Sequence, residues 1–387
     1  MSTSDESSKA ETTLVAAGRM SVAHYGTVNT PVYRTSTILY DSLAALKAED
    51  APYTYGRHGT PTTRSLEEAL EALEGATRTV TLPSGLNAIA TAVMAVCSAG
   101  DHLLMTDTCY WPTRHLCETQ LKKFGIETTY YDPTIGAGIA ALIRPNTKAI
   151  YCEAPGSLTF EMQDIPAIAA VAHAHGAAVL ADSTWATPLH FAALAHGVDL
   201  NIHAATKYIC GHSDVMMGTI SANADYAERL TATVSDLGLY IAGDDCYLAL
   251  RGLRTLAVRL KRHQENAFAL TDWLAERPEV TRILFPARPE DPGYALWQRD
   301  FTGACGLFGL ELKAGADLDA FFAGFKHFGI GYSWGGYESL VIPARFTRTA
   351  RPFAAQGPVI RMHAGLEDIG DLIADLEAAL QRAYPSR

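Results

Sequence analysis

The feature that most limits what this chain can fold into is a regular alternation of short apolar runs with stretches of helical period. Between residues 79 and 204 the runs TVTLP, HLLMTD, ETTYYD, AIYCE, AAVLAD and DLNIHA are spaced by GLNAIATAVMAV and by helical patterns near 112–124, over 166–175 and over 190–196. Strands separated by helices pair in parallel, because each crossover helix returns the chain over the sheet. The expectation is an α/β fold with a doubly wound, mostly parallel sheet spanning about 51–246. Upstream of it, RSLEEALEALEGA sets Leu66, Leu70 and Leu73 at i, i+4 and i+7 with Gly75 as a stop, which predicts an amphipathic helix. Downstream, a long helix near 244–275 precedes strand-like segments at 279–285 and 304–312 and the helix EDIGDLIADLEAAL. These suggest a smaller C-terminal α/β domain over 247–387. Residues 1–50 lack a sustained period and read as an N-terminal arm with one short helix at 41–49, of the kind that reaches a neighbouring subunit.

A chain of 387 residues exceeds one ordinary core, in keeping with two domains. Its formal charge of −11 disfavours a nucleic-acid partner, since phosphate backbones are met by clustered Lys and Arg. The brief basic cluster Arg259, Lys261 and Arg262 lies in a helical pattern and reads as a solvated face. Seven cysteines at 97, 109, 117, 152, 210, 246 and 305 include no CxxC pair, which fits reduced, buried thiols. The opening MSTSDESSKAETT lacks the basic flank and apolar run of a secretion signal, and no stretch is long enough to span a bilayer. The expected compartment is the cytoplasm, with no membrane partner and a small-molecule substrate.

In an open parallel sheet, ligands bind beyond the carboxyl ends of the strands. Asp182 ends AAVLAD, and Lys207 follows DLNIHAAT one crossover later, so both can face one crevice. Pyridoxal phosphate needs an amine for its Schiff base and an acid near its ring nitrogen to keep the pyridinium protonated. Lys207 and Asp182 match those demands, although a surface lysine and a strand-end aspartate capping a turn would look the same if taken singly. Pro83-Ser84-Gly85-Leu86 lies between a strand and a helix, where free amides and the helix dipole favour a phosphate; a plain helix cap is the alternative. Tyr110 follows HLLMTD and could lay its ring on the cofactor. Arg361, in VIRMHAG, could grip a substrate carboxylate by a two-pronged hydrogen bond, with a structural ion pair as the competing explanation.

Other patterns point elsewhere more weakly. Residues 136–141, GAGIAA, match GxGxxA with Glu153 ending the next strand, the pattern of a nicotinamide-binding oxidoreductase. Only a short helix fits after Gly138, and Asp132-Pro133 interposes a turn, which argues against it. His173 and His175 are two apart on a helical segment and read as solvent-facing, while His203 and His212 flank Lys207 without a third ligand. No metal is expected.

The stretch DLNIHAATKYICGHSD resembles the lysine signature of the Cys/Met-metabolism (trans-sulfuration) pyridoxal-phosphate enzymes. The likeness extends through YGRHGTPTTRSLEEALEALEG, ADSTWATPL, RGLRTLAVRL, DFTGACGLF and YSWGGYESL, nearly the whole chain beyond the first twenty residues. It implies a large domain of aspartate-aminotransferase-like (fold type I) architecture plus the smaller C-terminal domain. It also implies Lys207 as the Schiff-base lysine, Asp182 as partner of the ring nitrogen, and Tyr110 stacked on the ring. Gly85, Leu86 and Thr206 would bind the phosphate, with Tyr55 and Arg57 contributed by the neighbouring subunit. Ser333 and Arg361 would hold the substrate carboxylate, Trp334 would narrow the site, and Tyr55 would also meet the substrate.

Within the family, EAPGS at 153–157 and Tyr332-Ser333-Trp334-Gly335-Gly336 are similar to the bacterial β-eliminating branch that splits cystathionine into homocysteine, pyruvate and ammonia, on the way to methionine. Relatives acting at the γ-carbon usually carry Asn near 157 and no Trp at 334. A cystathionine or methionine γ-lyase, a γ-synthase, a broader cysteine-conjugate β-lyase and a noncatalytic pyridoxal-binding module are the alternatives. Ser183 stands where Asn often follows the ring-binding Asp, and the PSGL loop departs from the usual SSGM-like one. The resemblance further implies a homotetramer of two dimers with shared active sites.

Overall fold

The computed structural model describes residues 8–48 and 50–385. The first seven residues of the expected arm, and Glu49 at the end of its expected helix, lie outside the described residues.

Strands β1 (Arg78–Leu82), β2 (His102–Thr106), β3 (Glu127–Tyr131), β4 (Thr147–Glu153), β5 (Ala178–Asp182), β6 (Leu200–His203) and β7 (Gly218–Ala222) form one sheet, in the order β1-β7-β6-β5-β4-β2-β3. The pairs from β3 through β6 are parallel, as the alternation predicts. The exception is β7, which runs antiparallel to both β6 and β1. Hydrophobic pattern does not mark this strand, because GTISA carries no apolar run. Its Ser221 is accommodated by internal hydrogen bonds: Ser221 Oγ lies 2.8 Å from Thr79 Oγ1 and donates to Glu74 Oε1 at 2.9 Å.

Local chemistry explains the flanking helices. Thr60 accepts the Thr63 amide to cap Pro61–Glu74, which has proline in its first turn and ends at Gly75 with φ 66°. Ser84 accepts the Asn87 amide at 3.1 Å and so caps Gly85–Val96. That helix packs on the sheet through Ala88, Ile89, Ala92, Val93 and Val96.

A second sheet contains β8 (Val280–Leu284), β9 (Leu307–Leu312), β10 (Gly329–Ile330), β11 (Leu340–Pro343) and β12 (Val359–His363), ordered β10-β11-β12-β9-β8. All its pairs are antiparallel except β10 with β11. The two sheets meet through Trp185 Nε1, which donates to the Leu307 carbonyl at 2.9 Å, and through the Gly306 amide, which donates to the Tyr208 hydroxyl at 2.9 Å.

Four local expectations change. The long helix at 244–275 is two helices, Gly243–Leu253 and Leu256–Ala275, broken at Arg254-Thr255. The helix at 190–196 is a single turn, Thr187–His190, followed by a 3₁₀ turn, Leu194–His196. The arm holds an unforeseen helix, Ala10–Ala16, besides Leu43–Ala48; Leu14 and Ala17 are buried against the chain's own helices, and the Leu14 carbonyl accepts from Arg254 at 2.6 Å. Arg259 is no solvated cation: it is buried and, at the break before Leu256, donates to the Gly252 carbonyl at 2.7 Å, which also accepts the Thr255 amide at 3.0 Å.

Among the described residues no helix is long and apolar enough to cross a membrane. All seven cysteines are free and buried.

Candidate active site

The carboxyl ends of four neighbouring parallel strands converge on one place. Tyr110 follows β2 at the start of the helix Trp111–Leu116, Glu153 ends β4, Asp182 ends β5, and Lys207 lies in the turns after β6. Strand order makes these ends adjacent, although the residues are scattered over about a hundred positions. Glu153 and Asp182 are paired in register, so their side chains leave the sheet on the same face. The Glu153 carboxylate accepts the Tyr110 amide at 2.9 Å and so fixes where that tyrosine leaves its strand.

The second sheet closes the crevice from the other side. The turn Ser333-Trp334-Gly335 reaches Lys207, whose Nζ donates to Ser333 Oγ at 2.8 Å and stands 5.4 Å from the centre of the Trp334 ring. Ser333 and Gly335 adopt φ 75° and 84°, and a Cβ on Gly335 would come within 2.9 Å of the Tyr208 amide nitrogen. Glycine is therefore required there on two grounds. From β12, Arg361 donates through Nη2 to the carbonyls of Ser333, at 2.8 Å, and Gly331, at 3.3 Å, while its buried Nε has no partner. Among the described residues Arg361 has no carboxylate partner of the kind weighed as an alternative; it bonds backbone carbonyls instead.

The electrostatics follow from burial. Lys207 is pulled down to about 8, chiefly because desolvation penalises the ammonium, then because of the Arg361 cation, with Asp182 acting in opposition. Burial likewise lowers Arg361 to about 10. Asp182 keeps a rim of accessible surface, yet its carboxyl is enclosed enough to lie above the ordinary range. Hydrogen bonds from Thr184 oppose that rise. Glu153 is pushed higher still, by burial and then by Asp182. The Tyr110 hydroxyl is raised by burial and then Glu153, which keeps it protonated.

These residues fit pyridoxal phosphate. Lys207 offers a desolvated amine, Asp182 a carboxyl deep in the same crevice, and the 12-residue helix beginning at Gly85 an amino end for the phosphate. Gly85 is pressed so close to Ala204 that a Cβ would lie 2.5 Å from the Ala204 Cβ, which ties the helix start to the lysine segment. Thr206 is held by a reciprocal pair with Met217, accepting its amide at 2.8 Å and donating to its carbonyl at 3.1 Å. Leu86, beside Gly85, is partly exposed.

Tyr55 and Arg57 are not brought to this cluster. Tyr55 bridges Thr37, and Arg57 donates to the Ser235 carbonyl at 3.3 Å and lines a separate hollow of about 160 Å³ with Glu67, Arg78 and Tyr240. The histidines read as solvent-facing, His173 and His175, are both exposed, and His173 Nε2 also lies 2.9 Å from Asp199 Oδ2. The GAGIAA segment forms a short 3₁₀ helix, Gly136–Leu142. Two residues that sequence reasoning did not place in the site belong to its walls: Glu153, signalled only by ending a strand beside Asp182's, and His363, for which no local signal exists.

The family model for Cys/Met metabolism PLP-dependent enzymes matches residues 11–381. The chain is 42% identical to the cystathionine beta-lyase of Escherichia coli (strain K12), over 97% of this chain and 98% of that one. It is 41% identical to the L-alanine/L-glutamate racemase of Wolbachia pipientis wMel, over 97% of each. Among solved structures, cystathionine gamma-lyase from Lactobacillus plantarum, complexed with L-serine, superposes with a TM-score of 0.91 at 32% identity, covering 97% of this chain and 99% of that one.

Proposed function

The chain belongs to the Cys/Met metabolism PLP-dependent enzyme family, and from that premise we propose that it cleaves the Cβ–S bond of L-cystathionine, giving homocysteine, pyruvate and ammonia toward methionine. The observation that carries this reading is Lys207: a desolvated amine at about 8, hydrogen-bonded to Ser333 and facing the Trp334 ring. Similarity to a cystathionine beta-lyase over nearly the full chain supports the same choice.

Once bound, pyridoxal phosphate supplies an electron-poor ring that makes the α-hydrogen of an amino acid acidic. Lys207 would hold it, and Asp182 would be the acid that keeps the ring nitrogen protonated. Gly85, Leu86 and Thr206 would bind the phosphate, with Tyr55 and Arg57 of a second copy completing that site. Tyr110 would be the cofactor's aromatic neighbour. With cofactor and substrate bound, Lys207 Nζ, a neutral amine for part of the time near neutrality, would accept the α-proton. Arg361, through the nitrogens its carbonyl bonds leave free, and Ser333 orient the substrate carboxylate. Trp334 narrows the space around the thioether. As the Cβ–S bond breaks, Lys207 or Tyr110 delivers a proton to the departing sulfur, and the three-carbon remainder hydrolyses to pyruvate and ammonia.

We assign the chain to the cytoplasm, in keeping with seven unpaired buried cysteines, and to a homotetramer built from two site-sharing dimers. The deciding experiment incubates the pure holoenzyme with cystathionine and identifies both products. Pyruvate with homocysteine is expected; 2-oxobutyrate with cysteine would transfer the chain to the γ-acting branch.

A further inference from the structure

Arg361 and His363 stand two apart on β12 and so leave the sheet on the same face. Both reach the turn that covers Lys207. Arg361 takes the carbonyls of Gly331 and Ser333, and the Gly335 amide donates to His363 Nε2 at 3.0 Å.

We infer that His363 is a positioning residue for substrate binding, fixing the Ser333-Trp334-Gly335 turn against Lys207 as a permanent hydrogen-bond acceptor. The inference rests on the proposed cleavage of a thioether amino acid and adds a determinant of substrate affinity to it.

The tautomer follows from the partners. A backbone amide can only donate, so Nε2 carries no hydrogen; the Glu338 carbonyl, 3.0 Å from Nδ1, can only accept, so Nδ1 carries one. The ring is neutral with both nitrogens satisfied. Protonating it would set two donors against each other at Gly335. The surroundings resist that: His363 is fully buried, with the His263 ring 5.1 Å away on one helix, Tyr208 5.9 Å away after β6, and the cations of Arg361 and Lys207 nearby.

The turn needs such a support. Ser333 holds a left-handed conformation that costs a non-glycine residue free energy, so it persists only where neighbours over-determine it. Without the acceptor, the buried Gly335 amide would lose its partner and the turn could relax. Ser333 and Trp334 would then leave their places beside Lys207. Because Ser333 and Trp334 orient the bound substrate while the proton carriers Lys207 and Tyr110 lie outside the turn, the loss should appear mainly in KM.

The test compares holoenzymes of wild type, His363→Gln, His363→Asn and His363→Leu. The Gln side chain can bring an acceptor oxygen to the Nε2 position; Asn stops one bond short; Leu has no acceptor. Hydrogen–deuterium exchange of the peptide spanning 329–340 reports the turn directly, and steady-state kinetics with cystathionine report its consequence. Expected are faster exchange and a roughly three- to tenfold higher KM in the Leu and Asn variants, with kcat within about twofold and near-wild-type behaviour in the Gln variant. If Leu prevents folding, Asn against Gln carries the comparison. Unchanged exchange and KM in Asn, or a Gln variant as impaired as Asn, would overturn the inference. Failure of the wild type to cleave cystathionine would instead refute the proposed function, and the exchange comparison would still judge His363.

Discussion

Glu153 and Asp182 stand opposite one another in register on β4 and β5, two enclosed carboxyls on one wall of the crevice. Burial raises both above the ordinary carboxylate range, and for Glu153 the charge of Asp182 adds to the effect. A pair this close prefers to keep a proton until a cation arrives between its members and the substrate space. The wall is thus prepared for a positively charged group.

This pair predicts a pH signature in cofactor-free protein. A carboxyl raised by folding contributes stability that is complete below its unfolded value and is lost as pH climbs through the folded one. The thermal midpoint of wild type should therefore fall from about pH 5 upward more steeply than that of Glu153→Gln, which cannot ionise. Parallel curves for the two proteins would remove the argument.

Lys207→Ala should lower kcat by at least about a thousandfold, since both the cofactor attachment and the proton acceptor are lost. Borohydride reduction followed by peptide mass analysis supplies a readout independent of turnover. Wild type should carry the reduced B6 adduct on residue 207, and the variant none there. An adduct on another lysine in wild type would contradict the assignment.

Arg361→Leu should act twice. Removing the cation beside Lys207 lifts that amine from its value of about 8, so amine-labelling of Lys207 in cofactor-free protein should move to higher pH. Loss of a buried charged partner for the substrate carboxylate should also lower kcat/KM on the order of a hundredfold or more. Arg361→Lys should restore part of the labelling midpoint but little of kcat/KM, because an ammonium lacks the planar fork. Retention of full kcat/KM in the Leu variant would exclude Arg361 from substrate binding.

Tyr55 and Arg57 make their contacts with Thr37 and Ser235 and not with the Lys207 cluster of their own chain. If a second copy receives them, inactive Lys207→Ala and Arg57→Ala chains should complement each other on co-expression, because a mixed dimer assembles one intact site. Activity no higher than in either parent would place both residues within a single chain's site, or outside it.

The legible part of this molecule was local. Asp182 and Lys207 could be located because apolar runs end at them, and a strand end in a parallel sheet marks a ligand crevice. Ser84 was readable as a cap, and it does cap Gly85–Val96. The less legible part was β7, whose Ser221 hydroxyl is buried but hydrogen-bonded to Thr79 and Glu74 from distant segments, so hydrophobic periodicity could not reveal it. The same holds for Arg259, whose partner is a buried carbonyl at a helix break that composition does not announce.

By itself, then, the order of residues determined the alternating α/β architecture and the positions of the amine and the acid, since both depend on side-chain periods only a few residues long. Tertiary structure alone decided that Glu153 would share a wall with Asp182, that Ser333 would meet Lys207 from 126 positions away, and that His363 would brace the turn between them. Those contacts arise from strand order and from the approach of a second sheet. They are set by the burial of whole surfaces against each other, which no short window of sequence contains.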